Sequence, residues 1–128
     1  MTVNTELTSA VETLINAGCH YRLDELAECY ADDLQIVILQ ENGETAAFDY
    51  AQNMAFFRNL RDSGAAPLNT AVTFNYAQEQ GGTGYVLATR RMDLGAGEQT
   101  VVFTLMLRRE AGRWRVFREH AVVKGKAV

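Results

Sequence analysis

Short glycine-containing turns divide the C-terminal half of the chain into four β-rich segments, and this pattern constrains the fold more than any other. The turns are Gly81-Gly82, Leu94-Gly95-Ala96-Gly97 and Ala111-Gly112. The segments are Leu68–Glu79, Thr83–Asp93, Glu98–Arg109 and Arg113–Val123. Segments of this composition, joined by such turns, are typical of consecutive hairpins. The sequence therefore predicts a four-strand antiparallel meander.

The N-terminal half shows helical periodicity instead. Apolar residues spaced three and four apart predict a first helix that ends at Gly18 and a second, shorter helix that ends at Asp32-Asp33. The apolar run Leu34–Leu39 and the segment Glu44–Phe48 then predict two strands.

A third helix is predicted between these two strands and the meander. Asp49 with Gln52 three residues later matches a capping box, and Ser63-Gly64 marks the helix end. The chain is therefore expected to form an α+β fold, in which three N-terminal helices pack on a six-strand, mainly antiparallel sheet. With 128 residues, of which 48% are hydrophobic, it has the size of one domain, residues 1–128.

The amino-acid composition limits the cellular environment and the classes of partner that are expected for the protein. Cys19 and Cys29 are the only cysteines and are predicted to be reduced, partly buried thiols. The N-terminal residues lack the pattern of a signal peptide, so a cytoplasmic location is expected. The arginines of the second half alternate along predicted strands rather than clustering, which argues against nucleic-acid binding. No motif predicts a cofactor, a metal or membrane insertion.

Counting from the turns predicts a register and two faces for the meander, because side chains along a strand alternate. Predicted opposite pairs are Tyr76 with Leu87, Phe74 with Thr89, Leu87 with Thr104, Met106 with Phe117 and Thr104 with Glu119. One face then holds Val72, Phe74, Tyr76, Tyr85, Leu87, Thr89, Val102, Thr104, Met106, Phe117, Glu119 and Ala121. The other holds Ala77, Val86, Ala88, Val101, Phe103, Leu105, Leu107, Trp114, Val116, Arg118, His120 and Val122. The first, rich in aromatic residues, is predicted to lie under the helices and line a pocket.

The second face is a smoother aliphatic surface. Such a surface would be a large exposed apolar patch on a monomer, so it is expected to pair with a second copy. The residues predicted at this homodimer interface are Val101, Phe103, Leu105, Leu107, Trp114 and Val116.

Glu119 is the strongest candidate for a catalytic residue. A carboxylate placed among apolar side chains is costly, and its pKa rises toward values that suit acid–base chemistry. The alternative is a structural ion pair with Arg91 or Arg115. Tyr50, Met54 and Phe57 lie on the third helix. They are expected either to face Tyr85, Met106 and Phe117 across a cavity or to form plain core. The predicted substrate-binding set is Tyr50, Met54, Phe57, Tyr85, Leu87, Thr89, Thr104, Met106, Phe117 and Glu119.

Three short stretches carry a resemblance to a known superfamily. They are Asn16-Ala17-Gly18, Tyr30-Ala31-Asp32-Asp33, and Gly112-Arg113-Trp114-Arg115-Val116 with His120. With the order of elements, they resemble the nuclear-transport-factor-like superfamily, which includes SnoaL-like cyclases and ketosteroid isomerases. The resemblance implies a cone-shaped domain with a curved sheet, a pocket at its wide end and frequent dimerisation through the sheet.

The same resemblance argues against ketosteroid isomerase chemistry. The positions that match the isomerase base and its two oxyanion donors hold Ile38, Val11 and Thr104. An isoleucine cannot accept a proton, and valine and threonine cannot replace strong hydrogen-bond donors.

Two functions remain open at this point. The first is a small-molecule binding or catalytic domain of the SnoaL-like kind, with an apolar pocket and at most one carboxylate. The second is a non-enzymatic dimerising or accessory module with a vestigial pocket. An open cavity with an unpaired Glu119 would favour the first.

Overall fold

The computed structural model describes residues 3–93 and 97–126. In these ranges it contains three helices, α1 (Thr5–Cys19), α2 (Leu23–Glu28) and α3 (Tyr50–Asp62). The six strands are β1 (Tyr30–Leu39), β2 (Thr45–Asp49), β3 (Val72–Gln80), β4 (Thr83–Asp93), β5 (Glu98–Glu110) and β6 (Arg113–Lys126). They form one sheet in the order β2-β1-β6-β5-β4-β3, in which only β1 and β6 are parallel neighbours. The predicted α+β fold with three helices and a six-strand sheet is confirmed.

Side-chain hydrogen bonds explain where α1 and α3 begin. The Asn4 side chain accepts a bond from the Leu7 amide at 3.1 Å and caps α1. The predicted capping box of α3 is present: Asp49 and Gln52 each accept the other's backbone amide with their side chain at 2.9 Å.

The second helix ends earlier than the sequence predicts. Asp32 and Asp33 lie in β1, not at a helix end, because Tyr30 already pairs with β6. The Val116 amide donates to the Cys29 carbonyl at 2.9 Å, which begins this parallel pairing. Sheet pairing thus overrides the helical spacing that includes Tyr30.

The turns of the meander form where they are predicted. Flanking residues pair as expected: Gln80 with Thr83, Asp93 with Glu98, and Glu110 with Arg113. Within the second loop, Leu94, Gly95 and Ala96 lie outside the described residues.

Three bulges change the register farther from the turns. Asn75 is the extra residue in β3, and Phe117 and Lys124 are extra residues in β6. Three predicted pairs are therefore wrong: Phe74 lies opposite Ala88, Met106 opposite Arg118, and Thr104 opposite His120. The pairs Tyr76 with Leu87 and Leu87 with Thr104 are correct.

The predicted assignment of the two faces is wrong for β4, β5 and the first part of β6, whereas Val72, Phe74, Glu119 and Ala121 face the helices as predicted. The residues expected at a dimer interface lie under the helices: Val101, Leu105, Leu107, Trp114 and Val116 are buried, and half-buried Phe103 packs against them. Both faces are apolar, so alternation alone cannot decide between them. Small residues on the inner face, such as Ala77, Gly84 and Ala88, let α1 approach the sheet closely.

The Phe117 bulge exchanges the faces partway along β6. Before it, Trp114 and Val116 face the helices, and after it Glu119 and Ala121 do. Glu119 therefore faces the helices as predicted, but through a bulge that the turn register did not include.

The described part of the chain has no helix long and apolar enough to cross a membrane.

A substitution at Gly84 tests the close packing of α1 against the sheet. A Cβ at Gly84 would lie 2.5 Å from Cδ2 of Leu7, which is fully buried, so the Leu7 side chain or the backbone would have to shift within the core. We expect Gly84→Ala to lower the free energy of unfolding by about 1–3 kcal/mol in urea denaturation. In a Leu7→Ala background, which removes the clashing atoms, the same change should cost nearly nothing. An equal cost in both backgrounds would contradict this contact.

Candidate functional site

A cavity of about 480 Å³ lies between α3 and the sheet, near β1, β2 and the C-terminal part of β6. Its walls are mainly aliphatic and aromatic. They include Ile36, Ile38, Phe48, Phe57, Phe103 and Val123. Exposed polar residues of the β1–β2 turn, Gln40, Glu41 and Asn42, lie at its edge. A cavity of this size and lining is typical of sites for small molecules.

A recess of about 70 Å³ adjoins the cavity on the side of α1. Both spaces are lined by Asn53, Glu119, Phe57, Met92 and Phe103, and the recess adds polar groups of its own. These additional groups are Cys19, Tyr30 and Arg90. We call Asn53, Arg90, Glu119 and Tyr30 the polar floor.

Glu119 lies in the polar floor without a direct partner. It is only 9% exposed, and burial raises the pKa of its carboxyl group to about 7, although the charge of Arg90 acts in the opposite direction. Within residues 3–93 and 97–126, no side chain forms a hydrogen bond or ion pair with this carboxyl group. Desolvation therefore outweighs the attraction of the nearby cation.

The structural ion pair that the sequence left open for Glu119 does not form. Arg91 is exposed, and Arg115 lies near Glu28 at 3.4 Å and near Glu110 at 3.8 Å. The bulge at Phe117 separates the face of Arg115 from that of Glu119.

Arg90 is a buried cation, 8% exposed, that no described carboxylate pairs with at salt-bridge distance. Its Nη2 donates to the Asn69 carbonyl at 2.9 Å and contacts Cys19 Sγ at 3.2 Å. Its Nε is buried and has no acceptor. The guanidinium carbon lies 5.8 Å from the centre of the Phe103 ring.

Asn53 and Tyr30 complete the polar floor. Asn53, on α3, is 8% exposed, and its Nδ2 is buried without an acceptor. Tyr30 is buried beside it; burial raises the pKa of the Tyr30 phenol well above its usual value, the charge of Glu119 adds to this rise, and the nearby Asn53 amide opposes it without reaching hydrogen-bond geometry. Two donors of the floor, Arg90 Nε and Asn53 Nδ2, thus lack partners in the described structure.

Two of the ten predicted site residues, Phe57 and Glu119, line the cavity. Tyr50 and Met54 lie on α3 but away from it: the Tyr50 hydroxyl donates to the Ala27 carbonyl at 3.2 Å, and Met54 is buried in the core. The other six lie on the outer face of the sheet, because the faces were exchanged: Tyr85, Leu87, Thr89, Thr104, Met106 and Phe117.

The predicted site did not include Asn53 and Arg90, although sequence patterns indicate both. Asn53 interrupts the apolar stripe of α3, three residues after Tyr50 and four before Phe57. Arg90 continues the inward alternation of Val86 and Ala88 in β4. A polar residue at a core position of either pattern indicates a possible binding group.

The described residues contain no group of three or more His, Cys, Asp or Glu side chains that could hold a metal ion. Both histidines, His20 and His120, are exposed.

Comparison with solved structures identifies the fold. The chain is similar to an NTF-2 like protein of unknown function from Silicibacter pomeroyi, with 18% identity, 93% of each chain covered and a TM-score of 0.73. It is also similar to an NTF2-like protein from Cytophaga hutchinsonii, with 17% identity, 96% of this chain and 99% of that chain covered, and a TM-score of 0.72.

A third similar structure is a putative calcium/calmodulin-dependent protein kinase type II association domain from Thiobacillus denitrificans. It shares 18% identity over 96% of this chain and 98% of that chain, with a TM-score of 0.66. No family model and no curated protein matches the sequence. At these identities the likeness shows the fold alone, an NTF2-like cone with a curved sheet.

The raised pKa of Glu119 predicts that the free energy of unfolding depends on pH. Its folded pKa of about 7 lies above the ordinary value of 4.5, so the folded state holds the proton more tightly than the unfolded chain. Ionisation of Glu119 should therefore lower the free energy of unfolding as pH rises from about 4.5 to 7, by on the order of 3 kcal/mol in total. Glu119→Gln keeps the shape and removes the charge, so it should lack this loss.

Urea denaturation of both proteins at pH 4.5, 6 and 8 measures the difference. We expect equal stability near pH 4.5 and a more stable Glu119→Gln protein at pH 8. A variant that is less stable at pH 8 would mean that the carboxylate has a stabilising partner.

Proposed function

We propose that this NTF2-like domain binds a small, mainly apolar molecule in the cavity and that Glu119 exchanges a proton with the ligand's polar group. The observation that carries this proposal is an unpaired, buried carboxyl group facing an apolar cavity of about 480 Å³. With a pKa of about 7, Glu119 is present in both protonation states at neutral pH. Such a group acts as either a general acid or a general base.

The polar floor supports a SnoaL-like, cofactor-independent reaction. Glu119 would move a proton, and the unpartnered amide Nδ2 of Asn53 would hold an oxygen atom of the substrate in place. Apolar walls around them exclude water and strengthen both interactions. Isomerisation and dehydration need no more than these groups.

The alternative, a dimerising or accessory module with a vestigial pocket, needs a filled or collapsed core at this position. The cavity volume and the unpartnered donors of Asn53 and Arg90 favour a ligand instead. A buried donor without an acceptor costs about 1–3 kcal/mol. A ligand that supplies the acceptor removes this cost.

We also propose that two copies pair through the outer face of the sheet. This face carries half-exposed Tyr85, Leu87, Met106 and Phe117, which side chains of the helices do not cover, and Tyr76 is 37% exposed. A second copy would bury this apolar area. The cytoplasmic location stays a prediction.

A cavity-filling variant tests the binding function. Ala46, on β2, lines the cavity, whereas its neighbour Ala47 is exposed. We expect Ala46→Phe to weaken binding of the neutral fluorescent probe Nile red at least about tenfold, because the new ring occupies the cavity. The control Ala47→Phe should bind as the unaltered protein does.

Native mass spectrometry of the unaltered and Ala46→Phe proteins, as purified, gives a second measurement. A co-purifying small molecule should be lost in the variant. Equal binding by Ala46→Phe and Ala47→Phe would show that the cavity is not the site.

The dimer has its own test. Leu87 lies on the outer face opposite Thr104, so Leu87→Glu places a charge there without entering the core. We expect a dimer for the unaltered protein and a folded monomer for Leu87→Glu, measured by light scattering with size-exclusion chromatography and by circular dichroism. A folded monomer for the unaltered protein at micromolar concentration would contradict the pairing.

A further inference from the structure

The polar floor holds more donors than acceptors. Arg90 Nε and Asn53 Nδ2 are buried with no acceptor in the described structure. When Glu119 is protonated, its carboxyl group adds a third donor. Because buried donors are normally satisfied, this surplus indicates that the missing group is an acceptor.

The floor also holds an uncompensated positive charge. Arg90 is buried, and its described hydrogen-bond partners are the Asn69 carbonyl oxygen and the Cys19 sulfur, neither of which is a carboxylate. Glu119 compensates the charge only while it is ionised, and burial opposes its ionisation. A buried cation without a carboxylate partner is strongly unfavourable. The site therefore lacks one negative charge whenever Glu119 carries its proton.

The recess around Arg90 suits a small anionic group. Its volume of about 70 Å³ is more than one water molecule needs, so it has room for a small polar group such as a carboxylate. The adjoining 480 Å³ cavity, with its aliphatic and aromatic walls, accommodates an apolar body attached to that group.

We propose that the ligand is an apolar carboxylic acid whose carboxylate binds Arg90 and Asn53 in the recess while Glu119 takes up a proton. This inference rests on the proposed function and specifies its ligand class. A carboxylate supplies the missing charge and two acceptor oxygens, and guanidinium groups bind carboxylates strongly. An alcohol or an amide would leave the charge of Arg90 uncompensated.

Binding should be coupled to pH through Glu119. The groups that face it are Tyr30 from β1, Asn53 from α3 and Arg90 from β4, with Cys19 of α1 also lining the recess. Burial raises the pKa of the Tyr30 phenol well above its usual value, so this group stays protonated near neutral pH. Glu41 lies at the exposed edge of the cavity, where solvent screens it. Glu119 is then the group that titrates.

Matched probes test the ligand class. We would titrate the full chain by isothermal calorimetry with 4-phenylbutyrate, octanoate and indole-3-propionate, and with the amide of each. At pH 6 at least one acid should bind about tenfold or more tightly than its amide. Above pH 7 the Kd of that acid should rise about tenfold per pH unit, because Glu119 must first regain its proton.

Proton uptake and three variants assign the pH dependence and the preference for acids to individual residues. Titration in buffers of different ionisation enthalpy at pH 8 should show uptake of about one proton per acid bound. Glu119→Gln should bind the acid with a Kd that is flat between pH 6 and 9. Arg90→Met should lose the preference for acid over amide, and Arg90→Lys should recover part of it. The control Arg91→Gln removes an exposed charge from the same strand and should behave as the unaltered protein.

The outcomes separate this inference from the function on which it rests. Amides that bind as tightly as acids, acids that fail to bind while Nile red still binds, or a pH dependence that survives in Glu119→Gln would each overturn the carboxylate assignment and leave the cavity function standing. If Arg90→Met does not fold, the Glu119→Gln pH profile still decides. Failure of both the acids and Nile red to bind would overturn the proposed function itself.

Discussion

One extra residue in β6 determines which side chains the protein presents to its interior. Leu107 pairs with Val116, the next pair is Met106 with Arg118, and Phe117 lies unpaired between them. Without this bulge, His120 rather than Glu119 would face the helices, because alternation would continue unbroken. Because of the bulge, β6 contributes apolar side chains to the core near Trp114 and a buried carboxyl group farther along the same strand. The placement of the candidate site depends on this shift.

The placement matters because burial dominates the electrostatics of the polar floor. Arg90 lies close enough to favour the ionised form of Glu119, yet the loss of hydration raises the pKa to about 7. A direct ion pair would have lowered the pKa and satisfied both groups. Arg90 instead donates to the Asn69 carbonyl at 2.9 Å and is held away from that role. The protein thus keeps two buried ionisable groups near each other without a direct ion pair between them.

Local chemistry allowed much of the fold to be predicted from the sequence. The capping box at Asp49 and Gln52 and the pairing across Gly81-Gly82 depend on a few adjacent residues, so their patterns are readable. The bulges and the choice of inner face depend on contacts between distant elements, such as the packing of Leu7 against Gly84. Both faces of the meander are apolar, so hydrophobic alternation carried no information about which one α1 covers. Glu119 was predicted to face the helices by counting from the turns, and it does so because the exchange of the faces and the bulge at Phe117 cancel at this position. Arg90 and Asn53 needed the fold to bring them together.

The ligand in the cavity determines whether Glu119 acts as a proton donor or as a proton acceptor. An apolar ligand displaces water from the cavity and raises the pKa of the carboxyl group further. A ligand carboxylate bound at Arg90 removes the one nearby charge that favours ionisation, which acts in the same direction. With a ligand of the proposed class, Glu119 is therefore a proton donor. Chemistry in this cavity would then begin with protonation of the substrate, while Asn53 holds an oxygen atom in place.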